Sequence, residues 1–385
     1  MASGYDMSSS PRLFVVAGEP SGDRLGADLV KHLRSRTQLQ LLGVGGAELE
    51  GEGLHSMFPM SELSVMGISD VLARLPLLYW RMRQTVRAIA GEQPDLVLLI
   101  DSQVFSETVA RRLRRQGYAG KILLYVAPSV WAWKPERAPA LRSIYDEVLA
   151  VLPFEPKIMS ELGGPPTRYV GHPAGAEHGH REKQPEVGPL LLLPGSRTGE
   201  LRRHLPMMRE VAHALQDHPR IDGFVVPTVK DRVDHVRAAV SGWSTSVRVV
   251  VTAEEKHDAF RRAVAAVAVS GTVTLELAVA GVPMIVTYVA DRGQMRAARK
   301  YAVRFAALPN IVLDESVVPE ILGRAPRTQD IVSGLRDLLD GTDKIDAQRR
   351  AFDRLRALMR EGTPAAPIVS PQSAVLRYLR RETGT

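Results

Sequence analysis

The chain has 385 residues, 45% hydrophobic and 24% charged, and its 50 Lys and Arg against 43 Asp and Glu give a net charge of +7. This composition is globular and long enough for two or three domains, so wholesale disorder, collagen-like and coiled-coil chains are excluded. With no cysteine, disulfide frameworks, thiolate zinc sites, iron–sulfur clusters and cysteine nucleophiles are excluded too.

The basic balance favours anionic partners (phosphorylated small molecules, nucleic acid, an acidic membrane surface) unless it only reflects solvated arginine-rich faces. Residues 1–11 read as a disordered polar tail without the apolar stretch of a secretory signal. No apolar run approaches the ~20 residues of a membrane-spanning helix, so the expectation is a cytosolic protein. Arg12–Ala17 is a β-branched run, followed by the turn Gly18-Glu19-Pro20-Ser21-Gly22-Asp23 and a helical pattern to Leu33. Strand signals recur at Leu41–Val44, Leu96–Ile100, Ile122–Val126 and Val148–Leu152. These runs are apolar throughout instead of alternating, as in strands buried on both faces of a parallel sheet. Parallel connections then place helices on both sides.

Residues 174–188, with His, several charges and scattered Gly and Pro, read as an exposed linker. Strands follow at Leu190–Leu193, Phe224–Val226, Val247–Val251, Val264–Val269 and Met284–Thr287, with a helix at Glu200–Leu215. Helical patterns at Ile331–Leu339, Ile345–Met359 and Ser373–Arg381 close the chain. The expected fold class is α/β: two doubly wound Rossmann-like domains, residues 12–173 and 189–345, facing across a cleft, with residues 346–385 as added C-terminal helices.

Ligands of open parallel sheets bind beyond the carboxyl ends of the strands. Leu193-Pro194-Gly195-Ser196-Arg197 runs from a strand through a Gly-Ser turn into a helix. Such a turn offers backbone N–H groups and a helix dipole to phosphate, and Arg197 adds a bidentate cation. An ordinary βα turn with a surface arginine reads the same way. Ser270-Gly271-Thr272 follows the Val264–Val269 strand, with Ser270 and Thr272 as helix caps and room for a ligand at the helix N-terminus. Glu276 on that helix is either a partner for a ribose diol or a solvated carboxylate. There is no G-x-x-x-x-G-K-[ST], and Gly43-Val44-Gly45-Gly46 does not complete G-x-G-x-x-G. Transfer to or from an activated nucleotide is therefore favoured over ATP hydrolysis or hydride chemistry. Asp101 ends the Leu96–Ile100 strand, where partial desolvation suits a general base and a helix cap is the plainer role. Ser21, Gly22 and Asp23 form a turn able to hold an anion or a cluster of sugar hydroxyls.

Ser129-Val130-Trp131-Ala132-Trp133 places two tryptophans past the fourth strand, as a cleft wall or a cap on the core. Val65–Trp80 is unusually apolar: Val65, Ile68, Leu72 and Leu75 keep helical spacing, Leu77, Leu78 and Trp80 follow Pro76, and Arg74, Arg81, Arg83 and Arg87 surround them. It reads as a buried core helix or as an interfacial segment meeting an anionic bilayer or an acyl chain.

The ordered series Ala17-Gly18-Glu19-Pro20-Ser21-Gly22-Asp23, Val65-Met66-Gly67-Ile68, Ile100-Asp101 and Ala127-Pro128-Ser129-Val130-Trp131-Ala132-Trp133 resembles the lipid-A-disaccharide synthase family. Leu152-Pro153-Phe154-Glu155, Gly171-His172-Pro173, Leu193 to Arg197, Ser270-Gly271-Thr272 with Glu276, and Leu308-Pro309-Asn310 continue the resemblance in register. It covers about Leu13 to Leu322. The resemblance implies a GT-B glycosyltransferase, inverting and without metal or other cofactor. It transfers 2,3-diacylglucosamine from UDP-2,3-diacylglucosamine to the 6-hydroxyl of 2,3-diacylglucosamine 1-phosphate (lipid X). By the same resemblance Gly195, Ser196 and Arg197 face the diphosphate, Ser270, Gly271, Thr272 and Glu276 hold phosphate and ribose, Asn310 contacts the nucleotide-sugar, and Asp101 is the base. Implied too are a cytoplasmic protein lying against the inner face of the cytoplasmic membrane, no nucleic-acid partner, and a homodimer left open. Where the family pattern has a second carboxylate after the strand-end Asp, this chain has Val104, and Leu313-Asp314-Glu315 also departs from it. Another GT-B enzyme acting on UDP-N-acetylglucosamine, as a soluble-acceptor transferase or a 2-epimerase, and a non-catalytic nucleotide-sugar-binding protein are the alternatives.

Overall fold

Two six-stranded, wholly parallel sheets organise the chain. The computed structural model describes residues 10–63, 68–174, 181–301 and 303–379, with backbone alone for 68–73. The chain divides into a first unit, up to Gly171 and again from Glu361 onward, and a second unit, His172–Arg360.

In the first unit the strands are β1 (Arg12–Ala17), β2 (Gln40–Val44), β3 (Leu96–Ile100), β4 (Lys121–Tyr125), β5 (Glu147–Ala150) and β6 (Thr167–Tyr169). The helices between them are α1 (Pro20–Arg34), α2 (Ala47–Gly51), α3 (Ile68–Glu92), α4 (Gln103–Arg115), α5 (Ala138–Leu141) and α6 (Glu155–Glu161). The second unit repeats the plan with β7 (Gly188–Leu193), β8 (Ile221–Pro227), β9 (Val247–Val250), β10 (Ala265–Val269), β11 (Met284–Val289) and β12 (Glu320–Gly323). Its helices are α7 (Thr198–Leu215), α8 (Val233–Val240), α9 (Ala253–Arg262), α10 (Thr272–Ala280), α11 (Arg292–Lys300), α12 (Leu308–Leu313), α13 (Thr328–Asp340) and α14 (Thr342–Glu361).

The central strands β3, β7 and β10 are buried along their whole length, as their unbroken apolar sequences require. Within these two sheets the strands that sequence patterning does not reveal, β6 and β12, lie at sheet edges. There a strand has one neighbour and stays partly exposed, so it needs no continuous apolar run.

The strand orders fix where ligands can bind. In β2-β1-β3-β4-β5-β6 the chain steps from β1 to one side and returns for β3 on the other. In β12-β11-β10-β7-β8-β9 the same reversal falls between β7 and β10. Helices diverge at such a switch point and leave a crevice at the carboxyl ends of the two strands. The first crevice lies between Ala17 and Ile100, which are register partners; the second lies beyond Leu193, paired with Ala268.

Two domain expectations change. The boundary at 345/346 falls inside α14, which buries Phe352 and Leu355 in the second unit. The chain then returns to the first unit, where Val369 N–H donates to the Tyr169 carbonyl (3.0 Å) and α15 (Pro371–Leu379) packs on α1. The expected exposed linker is partly buried as well. Residues 175–180 lie outside the described residues, but Arg181 is only 6% exposed. Its guanidinium donates to the carbonyls of Gly281 (3.0 Å), Phe260 (3.4 Å) and Ala263 and to Gln184 Oε1. These carbonyls lie at the C-terminal ends of α9 and α10, where a cation complements the helix dipole.

Arg181→Leu leaves these buried acceptors without donors and is expected to destabilise the second unit by about 2–3 kcal/mol in denaturant titrations. A change within ~0.5 kcal/mol, as for an exposed linker residue, contradicts the anchoring role.

Candidate active site

The switch point of the first unit carries backbone strain. Asp101 has φ +52° and Ser102 φ +43°, two consecutive non-glycine residues in the left-handed region. Each costs of order 1 kcal/mol or more and persists only where the surroundings hold it. The holding contacts are Asp101 N–H to the Tyr125 carbonyl (2.9 Å), Ser106 Oγ–H to the Asp101 carbonyl (2.8 Å) and Ser106 N–H to the Ser102 carbonyl (3.0 Å). Gly18, at the end of β1, completes the turn: a Cβ there would stand 2.3 Å from Ser102 Oγ. The Asp101 side chain is half-buried. Burial pushes its pKa above the ordinary 3.8, against the pull of the Ser102 backbone N–H. A carboxylate of raised proton affinity at a strand end is equipped to take a proton.

The other first-unit candidates divide. Ser21 and Ser129 are exposed, and Gly22 packs its backbone against Ile100. Asp23 is buried: its carboxylate accepts from the N–H groups of Gly46 (2.7 Å), Glu48 (3.0 Å) and Leu49 (3.3 Å). It therefore caps α2 instead of facing a ligand, a correction to its assignment as an acceptor contact. Trp131 is half-buried, edge-on to Phe154 with ring centroids 5.3 Å apart, and its indole N–H donates to Glu155 Oε1 (3.3 Å). Val104, in place of the family's second carboxylate, is exposed.

Val65 lies outside the described residues, and in α3 the side chains of Ile68 and Leu72 do too. Leu77 and Leu78 are half-buried, with Leu78 packed on the core. Of the expected contacts Trp80 is outward, 54% exposed with the Arg81 guanidinium 4.1 Å above its ring, and Leu75 and Tyr79 are exposed with it.

In the second unit the Gly195-Ser196-Arg197 turn already holds an anion. Glu200 Oε2 accepts from the backbone N–H groups of Ser196 (3.1 Å) and Arg197 (3.2 Å). Gly195, at φ +93°, is required because a Cβ would meet that oxygen at 2.4 Å. The expectation that these amides are open to phosphate is thus corrected: the groups presented outward are the Ser196 hydroxyl and the Arg197 side chain, 77% exposed. Glu200 reaches back from the third residue of α7 as the Glu of a capping box does, but Arg197 stands where that signature has Ser or Thr, which hides the pairing in the sequence.

His204, one turn on, is fully buried and joins α7 to the end of β11: its Nε2 accepts from Val289 N–H (2.9 Å) and its Nδ1–H donates to the Glu200 carbonyl (2.8 Å). Burial lowers its pKa, which keeps the ring neutral as these two bonds require.

Beside this turn, Gly271 and Thr272 at the start of α10 are exposed, with open space where a Gly271 Cβ would stand. Ser270 does not cap the helix; its hydroxyl donates to the Ala306 carbonyl (2.6 Å). Glu276 forms an ion pair with Lys256 of α9. Asn310 is fully buried and its amide is saturated internally. Nδ2 donates to the Val318 carbonyl (2.9 Å) and Glu320 Oε1 (2.8 Å), while Oδ1 accepts from Val317 and Val318 N–H (both 2.9 Å). It shapes the segment 306–320 and has no bond left for a nucleotide, a correction to its expected ligand role. Lys256, His204 and Glu320 carry no motif and escaped sequence reading. Among the described residues no group of three or more His, Asp or Glu is placed to hold a metal ion.

Two parallel sheets with reactive groups at both switch points define the class as a GT-B fold, shared by glycosyltransferases and nucleotide-sugar epimerases. The glycosyltransferase of kitacinnamycin superposes with a TM-score of 0.63 at 14% identity, covering 97% of this chain and 100% of that one. The UDP-GlcNAc 2-epimerase of Neisseria meningitidis superposes with 0.57 at 12% identity, covering 90% and 98%. Such likeness gives the fold alone. The sequence narrows it: the model of the lipid-A-disaccharide synthetase family matches residues 13–366. The lipid-A-disaccharide synthase of Nitrobacter hamburgensis is 41% identical over 375 residues, 94% of each chain. The chain belongs to the lipid-A-disaccharide synthase family and is a glycosyltransferase.

Proposed function

We propose that the protein transfers 2,3-diacylglucosamine from UDP-2,3-diacylglucosamine to the 6-hydroxyl of 2,3-diacylglucosamine 1-phosphate, with inversion and without a metal ion. The observation that carries the reading is the strained strand end that holds a partly desolvated Asp101 carboxylate at the switch point of the first sheet. Asp101 takes the proton of the acceptor hydroxyl as its oxygen attacks the anomeric carbon. The bond from that carbon to the UDP oxygen breaks on the opposite face, and UDP leaves with its electron pair. The growing charge on the diphosphate is met by the Arg197 guanidinium, the Ser196 hydroxyl and the open N-terminus of α10 at Gly271 and Thr272. Glu276, oriented by Lys256, is the ribose partner.

The acylated substrates fit a protein that docks on a membrane surface through α3. Leu75, Tyr79 and Trp80 are exposed beside Arg83 and Arg87, the pairing of apolar and cationic groups that suits an anionic interface.

Mass spectrometry of the product formed from UDP-2,3-diacylglucosamine and lipid X is expected to show the tetraacylated disaccharide phosphate. Asp101→Asn is expected to lower turnover by ~10²-fold or more while calorimetry finds UDP affinity unchanged, and Arg197→Ala to weaken UDP binding. Turnover of Asp101→Asn within a few-fold of wild type removes Asp101 as base, and unaltered UDP affinity in Arg197→Ala places the diphosphate elsewhere. For the membrane reading, Leu75→Ser, Tyr79→Ser and Trp80→Ser combined are expected to reduce flotation with anionic liposomes at least tenfold. Equal flotation of wild type and variant contradicts docking through α3.

A further inference from the structure

Glu155 is a buried carboxyl that the proposed transfer does not use. It opens α6, just after the end of β5, and is 4% exposed. Its Oε2 accepts the N–H of Leu152 (3.0 Å) and its Oε1 the indole N–H of Trp131 (3.3 Å). Among the described residues no Lys or Arg pairs with it, and the cost of burying its charge is offset by N–H donors, the Val151 amide being a third.

Trp131 belongs to the segment 127–134, which follows β4. The chain enters this segment through Val126 at φ +77° and leaves it through Lys134 at φ +54°. A β-branched residue in the left-handed region is an outlier held by its surroundings. Here Val126 N–H is bonded to the Leu149 carbonyl (2.9 Å), and the Val126 carbonyl accepts from Gln103 Nε2 (3.3 Å) of the helix that follows Asp101. The strand ends of β3, β4 and β5 are thus tied in series: Gln103 to Val126, Val126 to Leu149, Trp131 to Glu155. The last tie is the only one of the three made between two side chains.

We infer that the Glu155 carboxylate, by accepting the indole N–H of Trp131, fixes the position of the 127–134 segment and is a positioning residue for the acceptor sugar. The inference rests on the reading of the first unit's strand ends as the acceptor site. Burial pushes the Glu155 pKa up to about 7. The groups facing it are the indole of Trp131, the Leu152 and Val151 amides, and from β6 the buried Tyr169, whose own pKa is raised by burial and by Glu155. Ionised, Glu155 accepts from both sides. Protonated, it loses the charge that strengthens both bonds, and the tie to Trp131 is weakened. The segment is accordingly held more firmly above neutral pH than below it.

The test uses the full-length chain, with Glu155→Gln and Trp131→Phe, the latter keeping an aromatic ring but removing the N–H. Both are expected to raise KM for lipid X about tenfold, the scale of one hydrogen bond to a charged group, with UDP affinity unchanged. Tryptophan emission of the wild type is expected to titrate with a midpoint near pH 7, and this transition is absent in Glu155→Gln. If Glu155→Gln does not fold, Trp131→Phe and the wild-type titration decide. A wild-type KM in Trp131→Phe, or wild-type emission that stays flat from pH 5.5 to 8.5, overturns the inference. Absence of disaccharide product from the wild-type protein overturns the underlying reading instead.

Discussion

The turn at Asp101 and Ser102 is the constraint on which the proposed proton transfer in the first unit depends. Two successive side-chain-bearing residues in the left-handed region are unfavourable locally, so the rest of the unit must supply the compensation. β4 supplies a carbonyl to Asp101, α4 supplies Ser106, and the residue after β1, Gly18, has no Cβ to obstruct the turn. The result turns the carboxylate off the line of a fully buried strand and keeps it partly out of water, which raises its affinity for a proton. An ordinary strand-to-helix turn needs none of this apparatus.

The second unit solves a different problem with the same sheet plan. Its switch point exposes cationic and hydroxyl groups, and the turn that displays them is itself braced by a carboxylate. Glu200 occupies the Ser196 and Arg197 amides, His204 links the helix behind them to β11, and the Asn310–Glu320 pair holds the segment 306–320. The backbone amides of the turn serve structure, and in the proposed function anion recognition falls to side chains and the start of α10. Fold likeness to both transferases and epimerases leaves the reaction open; family membership over residues 13–366 and Asp101 at the first switch point favour transfer.

The legible parts of the protein were those with a local physical signature. Strands such as Leu96–Ile100 and Ala265–Val269 are buried on both faces, and their unbroken apolar runs announce it. Their ends are therefore legible, and the rule for parallel sheets singles out Asp101, Arg197 and Gly271 as candidates there. Roles set by distant partners were not legible. Asp23 binds amides more than twenty residues on, Asn310 meets Glu320 only through the path of 306–320, and Glu276 meets Lys256 across two helices. Arg181 looked like a linker charge because the carbonyls it bonds lie some eighty to one hundred residues away. Each of these side chains is polar and close to a motif, and nothing in its neighbours distinguishes contact with a ligand from contact with the chain's own backbone.

The partial desolvation of Asp101 is the property from which the proposed proton abstraction follows, and carbon-13 NMR of the aspartate side-chain carboxyls, with Asp101→Asn to assign the resonance, measures it directly. The account predicts that the Asp101 carboxyl titrates above 3.8 in the folded protein. A midpoint at or below that value would mean a solvated or cation-paired carboxylate and would contradict its role as the base.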